Sequence, residues 1–293
     1  MAFFVHEERL KGFPFDRERV FLWLMAALAI ACVGRPLKQI GWLILDWVPF
    51  GLLLVAYDFS RGLADDIGAP VRRQMPIRIE KFLFFGHLPT AELQRLFFPK
   101  GTGISIWEEV VSLTYASHFV VPFLTAAILW ARSRTEWRRY VNRFVVICVA
   151  GLITYVVLPV APPWLAAQEG LIPAVQRPVG RGWGRLGFTA ATRLLDEGRA
   201  VLNPVAAIPS LHAAYSMLLV AFFWKRIANP VVRWATVVYP IVMGFSLVYG
   251  AEHYVIDVLI GWLYVWFSFI LCRRIERWWT QHQLTRHQLT GDI

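Results

Sequence analysis

The sequence is poor in charged residues and in cysteine. Charged residues make up 17% of its 293 residues, whereas hydrophobic residues make up 57%. Soluble globular domains are about 45–50% apolar, so this composition excludes an ordinary soluble domain and indicates an integral membrane protein. Because no soluble domain is present to carry a basic face, we expect no binding of nucleic acid.

Only three cysteines are present, Cys32, Cys148 and Cys272, and each lies inside an apolar run. Their number and spacing fit neither a disulfide framework nor a zinc site, so we expect them to be packing residues. The sequence also lacks a cluster of carboxylates that could hold Mg²⁺. We therefore expect no metal ion and no cofactor.

What the chain does have is a series of apolar runs. A straight membrane crossing needs about 20 residues, and residues 110–131 and 141–160 meet this length. The segment 58–106 is amphipathic and basic, which is typical of helices that lie in the membrane interface. The other apolar runs are 21–33, 41–57, 210–224, 231–250 and 254–272.

This pattern predicts an all-α polytopic membrane helical bundle with a single membrane domain over 41–272. A segment with one short apolar helix precedes it (1–40), and a polar tail follows it (273–293). Six or seven crossings both fit the pattern, and we favour six full crossings with additional interfacial helices.

Basic residues predict the orientation of the bundle. Lys and Arg number 30 against 20 Asp and Glu, and they are concentrated in 132–143, 225–233 and 273–277. Loops rich in Lys and Arg face the cytoplasm, so the tail is expected to be cytoplasmic. The 161–208 loop and the residues that open the runs at 210 and 254 are then extracytoplasmic.

Two of these runs open with ionisable residues, which are expensive at membrane depth and therefore functional candidates. Pro209-Ser210-Leu211-His212 reads as a helix start in which Ser210 is the N-cap and the following amides face an approaching anion. An ordinary capped helix with a hydrogen-bonded His212 is the alternative. His118, in the middle of an earlier run, could line the same pocket or be a core residue.

The second segment pairs His253 with Asp257 one helical turn later. The carboxylate can accept a proton from one ring nitrogen and leave the other as a nucleophile, although a structural ion pair is the alternative. Between His212 and His253 lie two apolar legs of roughly 16–20 residues, each about 24–30 Å long at 1.5 Å per residue. The two histidines are therefore expected to return to the same depth and to face each other.

These motifs resemble those of the type 2 phosphatidic acid phosphatases, or lipid phosphate phosphatases. The family motif Pro-Ser-Gly-His corresponds to Pro209-Ser210-Leu211-His212, in which Leu211 replaces Gly. The motif Ser-Arg-x5-His-x3-Asp corresponds to Ser246-Leu247-x5-His253-x3-Asp257, in which Leu247 replaces Arg. The family's Lys-x6-Arg-Pro motif has no counterpart, and Ala161-Pro162-Pro163-Trp164 stands before the long loop instead.

With these departures, residues 40–272 are most similar to the inositol phosphorylceramide synthase branch and its actinobacterial members. The resemblance implies a six-helix phosphatase-type core in a bacterial plasma membrane and metal-independent chemistry. It also implies that His253 attacks phosphorus to form a phosphohistidine, that Asp257 orients His253, and that His212 protonates the leaving oxygen. The substrate-binding residues that it suggests are Ser210, Leu211, Pro162, Pro163, Trp164, Tyr254 and Arg199.

Because the usual Lys and Arg are missing, another group must neutralise the phosphate. Five arginines of the 161–208 loop are candidates, and the sequence does not choose among Arg177, Arg181, Arg185, Arg193 and Arg199.

The motifs leave several functions open. One is a phosphatase that acts on a lipid phosphate or a polyprenyl pyrophosphate, and another is a phosphotransferase that moves phosphoinositol or a similar headgroup onto a lipid alcohol. A haem-binding membrane protein and a non-enzymatic lipid transporter are further alternatives. The expected partners are a phospholipid or lipid phosphate, a possible lipid alcohol acceptor and membrane lipids.

Overall fold

The computed structural model describes residues 23, 25–30, 32–34, 36–64, 69–98, 105–181 and 205–290. This part of the chain is almost entirely helical, which confirms the predicted all-α membrane bundle. Its β pairing is confined to two isolated parallel bridges, Arg72 with Val160 and Val160 with Ala206.

Residues 25–30 are helical, and ten further α-helices follow in the described part of the chain. They are α1 (Leu37–Ala64), α2 (Gln74–Leu83), α3 (Pro89–Phe97), α4 (Ile106–Arg132), α5 (Arg134–Val157), α6 (Pro163–Gln168), α7 (Leu211–Phe223), α8 (Pro230–Ala235), α9 (Val238–Tyr249) and α10 (Val255–Thr290).

Four helical stretches of the described chain are long and apolar enough to cross a membrane. They are Ile106–Arg132, Arg134–Val157, Pro230–Tyr249 and Val255–Gln283. The apolar helix α7 has only 13 residues, and the 28-residue α1 is not among the four. The prediction of six full crossings, like the domain boundaries, therefore remains a prediction.

Two elements differ in detail from the sequence pattern. The run 231–250 is interrupted between α8 and α9, because the Pro240 ring clashes with the carbonyl of Thr236 four residues earlier. The helix α10 continues into the predicted polar tail as far as Thr290, and the boundary at residue 273 stays a prediction. No Gly or Pro occurs in the tail before Gly291 to end the helix.

Ion pairs bring the three basic segments together at one end of the bundle. Arg226, which follows α7, donates to Glu136 in the first turn of α5. Arg143 of α5, whose side chain is buried, donates to Glu276 of α10 at 3.0 Å. The shared end agrees with the sequence prediction, and the side of the membrane that it faces stays a prediction.

At the other end, the start of α7 crosses α10 at very short range. The Ser210 amide donates to the Asp257 carbonyl at 3.0 Å. A Cβ atom on Gly261, one turn further along α10, would lie 2.4 Å from the Ser210 carbonyl oxygen. The two backbones can meet only because residue 261 has no side chain.

Replacing Gly261 with Ala should therefore destabilise the protein. The added methyl group would overlap a backbone carbonyl, and such overpacking costs about 1–3 kcal/mol. We expect a lower melting temperature for Gly261→Ala in detergent, measured by the loss of monodisperse protein on heating.

The matched control is Gly41→Ala in α1, where an added Cβ has no atom within 4 Å. Alanine favours the helix by about 1 kcal/mol over glycine, so this variant should melt at or above the parent. Equal melting temperatures for the two variants would contradict the close crossing.

Candidate active site

The segment that leads into α10 places His253 beside Asp257. The His253 Nδ1 atom lies 3.3 Å from Asp257 Oδ2, and the same oxygen accepts the Tyr254 amide at 2.8 Å. Asp257 is fully buried and His253 is nearly so. The carboxylate thus ties the histidine and the helix start into one unit.

The second motif lies opposite, at the start of α7. Ser210 is the N-cap, as predicted, because its hydroxyl accepts the Ala213 amide at 3.3 Å. The His212 ring follows, and its centroid lies 6.0 Å from that of His253. The structure therefore brings the two histidines together at the same end of the bundle.

His212 is held between two rings of α4. Its ring stacks on Tyr115 at 4.6 Å and on His118 at 3.9 Å between centroids. His118 in turn stacks on Tyr215 of α7 at 5.2 Å. The sequence left His118 as either a pocket-lining residue or a core residue. In the structure it is buried and also stacks directly on His212 of the candidate site.

A third group of side chains closes the site beside His253. The Trp164 amide donates to the Ala251 carbonyl at 3.0 Å. The Arg177 guanidinium lies 4.2 Å from the centre of the Trp164 ring. It also forms a bidentate ion pair with Glu252, the residue before His253, at 3.0 and 2.8 Å.

The remaining predicted residues lie in several places. Leu211 is buried, and a Cβ on Gly151 would be 3.0 Å from its Cδ2 atom. Pro162 and Pro163 begin α6, and the buried Tyr254 packs in a cluster with residues of α2 and α6. Arg199, like Arg185 and Arg193, lies outside the described residues.

Arg181, another candidate for the phosphate, is engaged elsewhere. Its Nη1 atom lies 3.2 Å from Oε1 of the buried Glu108 in α4, and its guanidinium lies over the Phe98 ring. Of the loop arginines that the structure describes, Arg177 is the one that contacts both Trp164 and the residue before His253. In the described part of the chain, no group of three or more His, Cys, Asp and Glu residues could hold a metal ion.

Comparison with known proteins shows the family of the chain. A model of the PAP2 superfamily matches residues 77–271, well over half of the chain. The chain belongs to the PAP2 superfamily. The match runs from within α2 to about the middle of α10 and contains both histidine motifs.

Three relatives of this PAP2 protein are synthases. It is 27% identical over 253 residues to a phosphoinositol dihydroceramide synthase of Bacteroides thetaiotaomicron, covering 81% of this chain and 79% of the relative. It is 25% identical over 180 residues to the catalytic subunit of inositol phosphorylceramide synthase of Schizosaccharomyces pombe, covering 59% and 40%. It is 28% identical over 149 residues to the Candida albicans inositol phosphorylceramide synthase, covering 49% and 31%.

The aligned part thus spans less than half of the two fungal relatives. No solved structure matches the chain significantly. Family membership and these relatives together support a membrane enzyme of lipid phosphoryl transfer.

This PAP2 site also contains an acidic residue that the sequence analysis missed. Glu80 of α2 is 1% exposed, and its Oε1 atom accepts the Ile256 amide in the first turn of α10 at 2.9 Å. The available signal was helical spacing, since Glu80 lies three residues after the buried Ile77 and shares its face of α2. A single acid in an amphipathic helix did not stand out.

Burial is the main influence on Glu80. It raises the pKa of the carboxyl group from its ordinary value of 4.5 to about 7, and the nearby Asp257 carboxylate acts in the same direction. The hydrogen bond from the Ile256 amide opposes this rise only in part.

We expect this shift to make stability depend on pH. Because the folded pKa is raised, the contribution of Glu80 is fully present below pH 4.5 and is lost as the pH rises through about 7. The melting temperature of the purified protein should thus fall over this range by more than that of Glu80→Gln, which cannot ionise.

Comparing the parent with Glu80→Gln isolates the contribution of Glu80 to the pH dependence, because all other titrating groups are the same in both. Parallel curves for the parent and Glu80→Gln between pH 4.5 and 7.5 would contradict the raised pKa.

Proposed function

We propose that this protein transfers a phosphorylated polyol headgroup of the phosphoinositol class from a phospholipid to a lipid alcohol. The observation that carries this proposal is the His253–Asp257 pair facing His212 across a distance of 6.0 Å between ring centroids. Two opposed histidines suit a double displacement, and the synthase relatives favour an alcohol rather than water as the acceptor.

In the first step, His253 is the nucleophile. Because its Nδ1 faces Asp257, Nε2 is the atom left to attack phosphorus. A bond forms between Nε2 and phosphorus while the bond from phosphorus to the diacylglycerol oxygen breaks. His212, from the other side, gives its proton to that oxygen.

The second step reverses these roles. The hydroxyl group of the lipid alcohol loses its proton to His212, and its oxygen attacks the phosphorus of the phosphohistidine. The bond to Nε2 breaks, and His253 returns to its neutral form. Asp257 keeps the same tautomer and ring orientation throughout, which is the usual role of a carboxylate behind a catalytic histidine.

Arg177 is our candidate for the charge that the missing motif residues would supply. Its Nε and Nη2 atoms donate to Glu252, and Nη1 is the atom left to donate to a phosphate oxygen. It lies against Trp164 and Glu252, next to the nucleophile. The first-turn amides of α7 and the dipole of that helix add further positive potential.

We place the site on the extracytoplasmic side of a bacterial plasma membrane. In support, the site lies at one end of the bundle, and the arginine-rich segments joined by the Arg226–Glu136 and Arg143–Glu276 pairs lie at the other. Basic loops are retained on the cytoplasmic side, which leaves the site outside.

The decisive assay supplies purified protein, in EDTA, with phosphatidylinositol labelled in its headgroup, with and without ceramide as acceptor. We expect label in a new lipid only when the acceptor is present. His253→Ala should reduce turnover by at least about 10⁴-fold, because the covalent path is lost.

Labelled inositol phosphate released without acceptor would instead identify a hydrolase. Turnover that survives His253→Ala would refute the phosphohistidine mechanism. Asp257→Asn is a useful companion, since it keeps the shape of the site and removes the charge behind His253.

Arg177→Ala should lower kcat/KM by about 10²-fold, because one charged donor to the phosphate disappears. The measurement is the same transfer assay with varied donor lipid. Arg73→Ala is the control. Arg73 forms an ion pair with Glu169 in which both side chains are solvent-accessible, so this variant should keep kcat/KM within about twofold of the parent value. Equal effects of the two variants would rule out Arg177 as the phosphate ligand.

A further inference from the structure

The segment that carries His253, residues 253–256, is held by hydrogen bonds from its backbone amides to acceptors on three different elements. The His253 amide donates to the Leu247 carbonyl of α9 at 3.3 Å. The Tyr254 amide donates to Asp257 within α10. The third bond comes from outside this hairpin, since Glu80 of α2 accepts the Ile256 amide. The position of His253 therefore depends on α2 as well as on its own helix.

Glu80 reaches this place because α2 is packed against the start of α10. Ile77 of α2 and Tyr254 belong to one apolar cluster, together with Leu88, Ala166 and Ile172. The cluster excludes water around the Glu80 carboxyl group, which is 1% exposed. A hydrogen bond in such surroundings is stronger than in water, and its loss leaves a buried donor unsatisfied.

The groups that face Glu80 make a carboxylate an expensive choice. Burial and the Asp257 carboxylate of α10 both disfavour its negative charge. Its carboxyl group accepts hydrogen bonds from the backbone amides of Ile256 and Val255. A glutamine could accept the same amide hydrogens at a lower cost of burial. A charged acceptor binds an amide about twice as strongly as a neutral one, but a neutral oxygen in the same place still keeps the hydrogen bond.

We propose that Glu80 is a positioning residue for the nucleophile: by accepting the first-turn amides of α10, it fixes the His253–Asp257 pair against His212. The proposal rests on the proposed function, in which His253 attacks phosphorus. It adds that a helix outside the two histidine motifs, in the segment predicted to be interfacial, sets the geometry of attack.

Two substitutions separate the acceptor from its charge. Glu80→Leu removes the acceptor and keeps an apolar side chain in the cluster, whereas Glu80→Gln keeps an acceptor without the charge. Because a misplacement of about 1 Å can cost about 10²-fold in rate, we expect Glu80→Leu to lower kcat by about 10–100-fold with KM within about threefold. Glu80→Gln should recover most of that loss.

The matched control is Glu92→Gln in the neighbouring helix α3, where the carboxylate is exposed and paired with Arg95. It should leave both kcat and KM unchanged. All variants are first compared by melting temperature and size-exclusion profile in detergent, so that loss of fold is recognised. A rapid-quench measurement of acid-labile label on the protein then reports how fast the phosphohistidine forms. Glu80→Leu should slow this step, whereas an effect on lipid binding alone would not slow it.

The outcomes are distinct. A folded Glu80→Leu variant with the parent kcat would overturn the proposal, and so would a Glu80→Gln variant as impaired as Glu80→Leu. If His253→Ala retains turnover, the proposed function itself fails. If His253→Ala is inactive while Glu80→Leu is fully active, only the positioning role of Glu80 is lost.

Discussion

The close crossing of α7 over the start of α10 is the contact on which the rest of the site depends. The Ser210 amide bonds to the Asp257 carbonyl, and Gly261 lets the two backbones touch. One of these helices carries His212 and the other follows directly on His253. Their crossing therefore sets the separation of the two rings, and α4 then holds His212 through the stacked Tyr115 and His118.

The buried charge at this end of the bundle is balanced mostly by backbone dipoles. Asp257 accepts the Tyr254 amide and Glu80 accepts the Ile256 amide, so two carboxylates share one helix N-terminus. Such a terminus favours anions through its unpaired amides and its dipole. The Arg177–Glu252 pair lies just beside this group, so a partly exposed guanidinium lies close to His253.

The departures from the phosphatase motifs have a structural reason. Leu247 stands where the resemblance expects an arginine, and it is fully buried in a cluster with Ala213, Met243 and Val258. A guanidinium at this position would lose its hydration inside an apolar cluster. This position is part of the core and carries no charge. The positive charge for the phosphate is therefore expected from elsewhere, and our candidate is Arg177 of the loop.

Much of this protein was predictable from local pattern. Apolar run length indicated the helical membrane bundle, and the four-residue spacing brought His253 within reach of Asp257, although His253 lies just before α10 and not on its face. The hairpin length placed His212 at the same depth. Residues at these spacings interact within one helix or one hairpin, so the sequence alone determines their relation.

What the sequence did not reveal lies between elements that are far apart in the chain. Glu80 is 176 positions from the amide that it accepts, and Arg177 is 75 positions from Glu252. Neither has a periodic or motif signal, because nothing local requires those residues. Sequence by itself determined the apolar helices and the His253–Asp257 pair, whereas only tertiary packing decided which distant side chains surround that pair, since their contacts follow from how the helices cross.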